Sequence, residues 1–181
     1  MGLIIILAII VLVVLWAIST QRSLVVLDEN VTNALNQINV VLTSRFDALT
    51  QLFNLVKGYN EHEYKTLVDL TKMRQGINKD STAKDIEGQE SIFSNAMKQF
   101  VAVAENYPEL KANENYKNIM NSLNEYEDKV RTTRLVYNDT VTKLNRTIRM
   151  FPTSFIAPIF GIHSRDYLAA EESKKDMPNL V

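Results

Sequence analysis

The apolar positions fall into two regimes along the chain. From Leu3 to Ile18 every residue is apolar. As a helix that run rises roughly 25–30 Å, the thickness of a bilayer's hydrocarbon core. Trp16 stands near its end, where an interfacial aromatic belongs. Ala17 and Ser19 also make a small-x-small cleavage pattern, but the run is long for a signal peptide and no Lys or Arg precedes it. A retained anchor over residues 1–20 is therefore favoured over a cleaved signal.

Beyond the anchor the pattern becomes periodic. No Pro or Gly lies between Leu3 and Lys57, so one helix is expected to run from the apolar segment into the first polar one. Within it Val31, Leu35, Ile38, Leu42, Arg45, Leu49, Leu52 and Val56 recur at alternating steps of three and four, a heptad seam of the coiled-coil kind. Gly58 suits the end of this helix, and Asn60 followed by Glu63 resembles a capping box opening the next.

A second helical region is expected from about Glu61 to Glu105. Its core candidates are Tyr64, Leu67, Val68, Ile92, Phe93, Ala96, Met97, Phe100 and Val101. The polar stretch Gly76–Ser81 predicts a kink or short loop in its middle. Pro108 ends this region, and Asn113 can cap a third helix. That helix carries the clearest period in the chain: Tyr116, Met120, Leu123, Glu127, Val130, Arg134, Tyr137, Val141, Leu144, Ile148 and Phe151. Pro152 closes it. The apolar tail FPTSFIAPIFG then predicts a short fourth helix plugging one end of the bundle; the alternative is a partner surface made by Phe155, Ile156, Ile159 and Phe160.

These elements predict an all-α fold: an elongated antiparallel bundle of three long helices over residues 21–168, a short C-terminal helix, and a flexible tail over residues 169–181. Run up, down and up, the helices form a rod about 55–60 Å long. The turn at Tyr107–Asn113 would then lie near the anchor and the Phe155–Gly161 tail far from it.

Composition narrows the function classes. The chain has 181 residues, with 20 Lys and Arg against 21 Asp and Glu, so there is no charge excess to hold nucleic acid. It has no cysteine, which excludes disulfides, thiolate metal sites, cysteine nucleophiles and an acyl-cysteine anchor. Its two histidines, His62 and His163, lack any metal-ligand spacing, and there is no phosphate loop or nucleophile elbow. No cofactor, metal or catalytic grouping is expected. The N-x-T sequons at Asn30, Asn138 and Asn145 are about what an Asn-rich chain gives by chance. The polar seam residues Arg45, Glu127 and Arg134 are the informative exceptions. They predict an interhelical ion pair that fixes register, with Glu127 paired to Arg45 or Arg134, rather than a ligand site.

Several separated segments together resemble the LemA family of bacterial membrane proteins. They are Arg45 and Asp47; VKGY at Val56–Tyr59, followed by His62 and Glu63; YPELKANENY at Tyr107–Tyr116; Glu127; Arg134; YND at Tyr137–Asp139; Asn145; Phe151-Pro152; and Ala157 with Gly161. The resemblance covers Val31 to Tyr167 and implies a single-span anchor carrying a helical bundle. The chain departs from the family at Thr50-Gln51, where Pro-Asn is common, and at Ile162, where Phe is usual. Lack of that proline should leave the first helix straighter. At the family level the resemblance also implies a link to membrane organelles in magnetosome-forming bacteria, and members often lie near membrane metalloprotease genes.

The leading expectation is a non-enzymatic scaffold, held in the bilayer by residues 3–18, that self-associates or binds another membrane protein, a membrane metalloprotease among the candidates. The alternative is a ligand- or stress-sensing module, which a cavity with convergent polar groups between the helices would favour. The expected location is the bacterial inner membrane, single-pass. Arg22, directly after the span, points to a cytoplasmic bundle.

Overall fold

A computed structural model describes residues 1–58, 60–72 and 81–169, and among these every regular element is helical. Helix α1 (Gly2–Val56) is one uninterrupted rod of 55 residues, roughly 80 Å long. The expectation of a helix without a proline break is met. All eight seam residues from Val31 to Val56 are buried, Arg45 included. Every residue from Leu3 to Trp16 is exposed on all sides, and this is the one described helix long and apolar enough to cross a membrane. The covered stripe begins just after it, at Ala17, Thr20, Gln21 and Leu24.

At the far end of α1 the chain turns into α2 (Glu61–Lys72). Asn60 Oδ1 accepts from the backbone N–H of His62 at 2.9 Å and of Glu63 at 3.3 Å, forming the anticipated cap. The reciprocal half of a capping box is not made, because the Asn60 N–H donates to the Val56 carbonyl. The kink or loop expected at Gly76–Ser81 lies outside the described residues apart from Ser81. Helix α3 (Ala83–Glu105) opens with a complete capping box. The Asp85 N–H donates to Thr82 Oγ1 at 3.3 Å, and the Thr82 N–H and hydroxyl donate to Asp85 Oδ2 at 2.7 and 2.8 Å. A short α4 (Pro108–Ala112) leads into α5 (Glu114–Arg149), capped by Asn113 as expected: its Oδ1 accepts from the Asn115 N–H at 2.8 Å. Then come α6 (Thr153–Ile156) and one 3-10 turn (Ala157–Phe160).

The direction of the later helices corrects the sequence expectation. Phe93 packs on Phe46 and Phe100 on Phe53, so residue numbers rise together and α3 runs parallel to α1. In α5, Asn115 and Ile119 lie beside Gln51 and Leu55, whereas Tyr137 lies beside Val31 and Leu35, so α5 is antiparallel to α1. The second region is therefore a hairpin of unequal arms rather than one bent return. The Tyr107–Asn113 turn sits at the far end, where Asn60 Nδ2 donates to Tyr107 Oη at 3.1 Å. The Phe155–Gly161 tail sits at the apolar end of α1, not at the opposite pole. A heptad seam states which face is covered but carries no sign for chain direction; here the α2–α3 reversal decides it.

The core divides into two clusters. Near the apolar end Leu24, Leu35, Ile38 and Leu42 meet Ile86, Val130, Tyr137, Val141, Leu144 and Ile156. Toward the far end Phe46, Leu49, Leu52, Phe53 and Val56 meet Leu67, Phe93, Ala96, Phe100, Leu110 and Leu123. Three expected core residues lie outside these clusters, Val68 among them, half-buried on α2. Val101 is exposed on the flank of α3, and Phe151 is exposed because α5 stops at Arg149 and the chain turns away.

The Thr82 donors hold the Asp85 carboxyl below the ordinary Asp range. Its stabilising contribution is thus present above about pH 4 and is lost as pH falls through the lowered folded value. Asp85→Ala is expected to lower the melting temperature at pH 7, and the gap to the wild type should close below about pH 4 in thermal melts. A gap independent of pH would mean that the cap does not depend on the ionised carboxylate.

Candidate functional site

Two heptad-spaced phenylalanines on α1 face two on α3. Ring centroids are 5.4 Å apart for Phe46 and Phe93 and 5.8 Å for Phe53 and Phe100, and Phe100 stacks on Tyr116 of α5 at 6.1 Å. Such rings bury much apolar area, but they also hold helix axes apart. Helix α5 packs along most of α1, while the backbones of α3 and α5 stay apart and the two helices meet through long side chains. A groove of about 450 Å³ remains between α3 and α5. Its walls are Phe93, Met97, Val101, Met120 and Leu123, and Arg45, Glu90 and Glu127 stand at its charged end.

The three polar seam residues expected from sequence come together here, with a fourth that the reading did not include. Arg45 Nη1 donates to Glu90 Oε2 at 3.4 Å, and Arg45 Nη2 lies 3.6 Å from Glu127 Oε2. Arg134 Nη1 lies 4.0 Å from the same Glu90 oxygen. The Arg45–Glu127 pairing holds; Arg134 turns to Glu90 instead. Glu90 is the hub, its side chain 15% exposed between arginines at 10% and 12%, whereas Glu127 at 48% is at the rim. The Arg45 guanidinium also lies 3.9 Å from the Phe93 ring centroid, a cation–π contact, while its Nε has no hydrogen-bond partner. Two arginines and two glutamates from α1, α3 and α5 balance their charges and tie three helices in one register. The period could have exposed Glu90, since Ile86, Glu90, Phe93, Met97, Phe100 and Ala104 step by four and three. The core positions expected in this part of the chain start only at Ile92.

A second set of polar contacts was also not foreseen. After Gly161, residues 162–169 form an extended strap running back along α5. Asn145 clamps it by accepting from the Arg165 N–H and donating to the Arg165 carbonyl, both at 2.9 Å. Asn138 does the same to Leu168 at 2.9 and 3.0 Å, and Tyr137 Oη donates to the Asp166 carbonyl at 3.1 Å. Burial pushes the Tyr137 phenol above its ordinary value, Arg165 nearby pulling the other way. Arg165 also pairs with Asp28 of α1 at 3.0 Å. Ala169, placed by sequence in a flexible tail, is held: its N–H donates to Glu87 Oε1 at 3.2 Å and its carbonyl accepts from Arg134. The rest of that tail, residues 170–181, lies outside the described residues. Two of the sequon asparagines are thus strap clamps.

Of the candidate partner surface in the tail, Ile156 is buried in the cluster near the apolar end of α1, while Phe155, Ile159 and Phe160 are exposed. Among the described residues no cluster of three His, Asp or Glu side chains could hold a metal ion.

An all-helical bundle built on a helix with a long unburied apolar end fits the class of membrane-anchored helical proteins. The chain belongs to the LemA family, whose model matches residues 34–181. It is 34% identical over 98 residues to magnetosome proteins MamQ 1 and MamQ 2 of Paramagnetospirillum magneticum. It is 29% identical over 98 residues to magnetosome protein MamQ of Magnetospirillum gryphiswaldense. Each match covers 54% of this chain and 36% of the relative.

Glu90→Gln should leave Arg134 without its carboxylate partner and Arg45 with only the rim residue Glu127, in a largely buried site, and destabilise the bundle by about 3 kcal/mol in urea melts. Glu127→Gln, at the rim, should cost no more than about 1 kcal/mol. Equal costs would remove Glu90 as the hub. The paired change Asn138→Ala and Asn145→Ala deletes strap hydrogen bonds worth about 1 kcal/mol each. Tryptic cleavage after Arg165 should then accelerate roughly tenfold or more under native conditions, as followed by mass spectrometry.

Proposed function

We propose that this protein is a non-enzymatic, membrane-anchored interaction protein. Leu3–Ile18 of α1 cross the bilayer once, and the bundle stands on that span and binds a second copy or another membrane protein through its side. The expected setting is the bacterial inner membrane, with Arg22 after the span favouring a cytoplasmic bundle. The observation that carries the reading is the open groove between α3 and α5. Leu123 is buried at its floor, whereas Met97 and Met120 are half-buried and Val101 is exposed, and no element of the described chain fills the space above them. A groove with methionine and valine walls, the Arg45–Glu90–Glu127 cluster at one end and Lys98 along its side suits an amphipathic helix. The likeness to MamQ magnetosome proteins supports a role tied to membranes. A membrane metalloprotease is one partner class open to the test below.

A sensing module is the second reading, favoured by the same groove's size, which falls in the range of small-molecule sites, and by the convergence of Arg45, Glu90 and Glu127 at its end. The two readings separate experimentally. A photo-crosslinking residue at Val101 in the groove, in membranes of the native host, should yield a discrete protein adduct, and one at exposed Leu135, outside the groove, should not. Monomer alone from both positions would reject the interaction reading. A small molecule retained on the gently extracted protein in native mass spectrometry, and lost with Arg45→Ala, would support the sensing reading instead.

A further inference from the structure

Four large apolar side chains stand in the open at the corner where α5 gives way to α6 and the 3-10 turn. Phe151 is 80% exposed, Phe155 70%, Ile159 77% and Phe160 50%. An exposed cluster of this kind on a soluble surface would be a liability, and it marks a contact with something apolar. Its location in the fold says what.

Antiparallel packing that sets Tyr137 beside Val31 and Leu35 brings Arg149, at the end of α5, about level with Arg22. Helix α6 and the 3-10 turn then pack on α1, with buried Ile156 and Ala157 in the same cluster as Leu24 and Ala17 at its margin. Ala17 belongs to the apolar run itself. The exposed corner therefore lies at the height where the apolar end of α1 gives way to its polar part.

Charge sorts the same way. From Thr140 to Arg165 the chain contains no Asp or Glu; of its cations, Lys143 pairs with Asp139 and Arg165 with Asp28, while Arg146 and Arg149 face solvent. Arg146 and Arg149, both exposed in the last turn of α5, immediately precede the corner, and Arg22 is exposed beside them in height. Aromatic and aliphatic side chains next to a basic belt are the composition of a segment lying in a bilayer's interfacial zone.

We infer that the Phe151–Phe160 corner is a second membrane contact. It seats in the leaflet from which α1 emerges, with Phe151, Phe155, Ile159 and Phe160 among the upper acyl chains and Arg146 and Arg149 against lipid phosphates. Two contacts, one spanning and one lying in the interface, fix the azimuth and tilt of the rod as a single span does not. The inference rests on α1 being a membrane span, and the test separates the two.

The chain has no cysteine, so single cysteines at exposed sites take a nitroxide label uniquely. Full-length protein carrying Leu7→Cys, Ile159→Cys or Glu109→Cys is reconstituted in mixed phosphatidylcholine and phosphatidylglycerol vesicles. Collision rates with oxygen and with a water-soluble nickel chelate are then read by electron paramagnetic resonance. The expected result is an oxygen-dominated label at position 7, a nickel-dominated label at position 109 at the far end, and an oxygen-dominated label at position 159 at a depth of roughly 5–10 Å. Position 7 in lipid with position 159 in water overturns the inference and leaves the anchor standing. A label at 159 shielded from both reagents means a protein cover and overturns it equally. Position 7 in water overturns the span, and this inference with it.

Discussion

A helix that is apolar on every side needs an apolar surrounding on every side, whereas a helix with one apolar stripe needs only a partner along that stripe. Helix α1 is both in one unbroken rod, and the change occurs at Ala17. That position fixes where the bundle must stop, since packing helices against Leu3–Trp16 would strip the run of its uniform apolar face. The covered stripe from Ala17 to Val56 is about 60 Å long, and the 36 residues of α5 rise about 54 Å. One antiparallel helix therefore covers nearly the whole stripe, and the remaining elements arrange themselves around that pair.

With α5 on most of the stripe, α3 finds its room on the flank opened by Phe46 and Phe53. Four matched phenyl rings give that contact its stability, each burial contributing about 1.5–3 kcal/mol, and the same rings set its spacing. The groove follows from bulk: side chains large enough to hold α3 on α1 keep it from closing on α5. At the groove's end the spacing is right for charged side chains instead, and Glu90 can reach both Arg45 and Arg134. A buried ion network of this sort adds little net stability against a well-packed apolar alternative. Its effect is on register, because sliding α3 by one turn would move Glu90 about 5 Å and leave two arginines without it.

Legibility from sequence followed the same division. Periodicity located the seams of α1 and α5, and cap and breaker residues located their ends and the caps at Asn60 and Asn113, since these are local matters of spacing and hydrogen bonding. It brought Arg45, Glu127 and Arg134 to one place, because a polar residue in an apolar seam must meet its counterpart. Glu90 obeys the same period and was within reach; Thr82-Ala-Lys-Asp85, a capping box, also announced the start of α3. Chain direction was not legible. Whether the α2–α3 segment bends or reverses depends on which flank of α1 its phenylalanines meet, a tertiary matter to which the spacing of apolar residues is blind. The strap was hidden for a different reason. Asn138 and Asn145 act through their amides on backbone groups of residues 165 and 168, and backbone partners leave no complementary side chain to find.

The apolar corner is held from three directions at once. Helix α5 delivers the chain to Phe151, and Ile156 and Ala157 dock below on α1. Gly161 then reverses the chain in the left-handed region at φ 68°, with the Gly161 N–H on the Pro158 carbonyl and the Ile162 N–H on the Ala157 carbonyl. That pair of bonds is the Schellman closure, which favours a residue without a Cβ. From there Asn145 and the Arg165–Asp28 pair fasten the exit to α5 and α1 together. A loop tethered only at its ends could fold its four large side chains inward and hide them. This one cannot, because the residues between and after them are already committed to the bundle, so the exposure of Phe151, Phe155, Ile159 and Phe160 is imposed by the fold rather than tolerated by a slack segment.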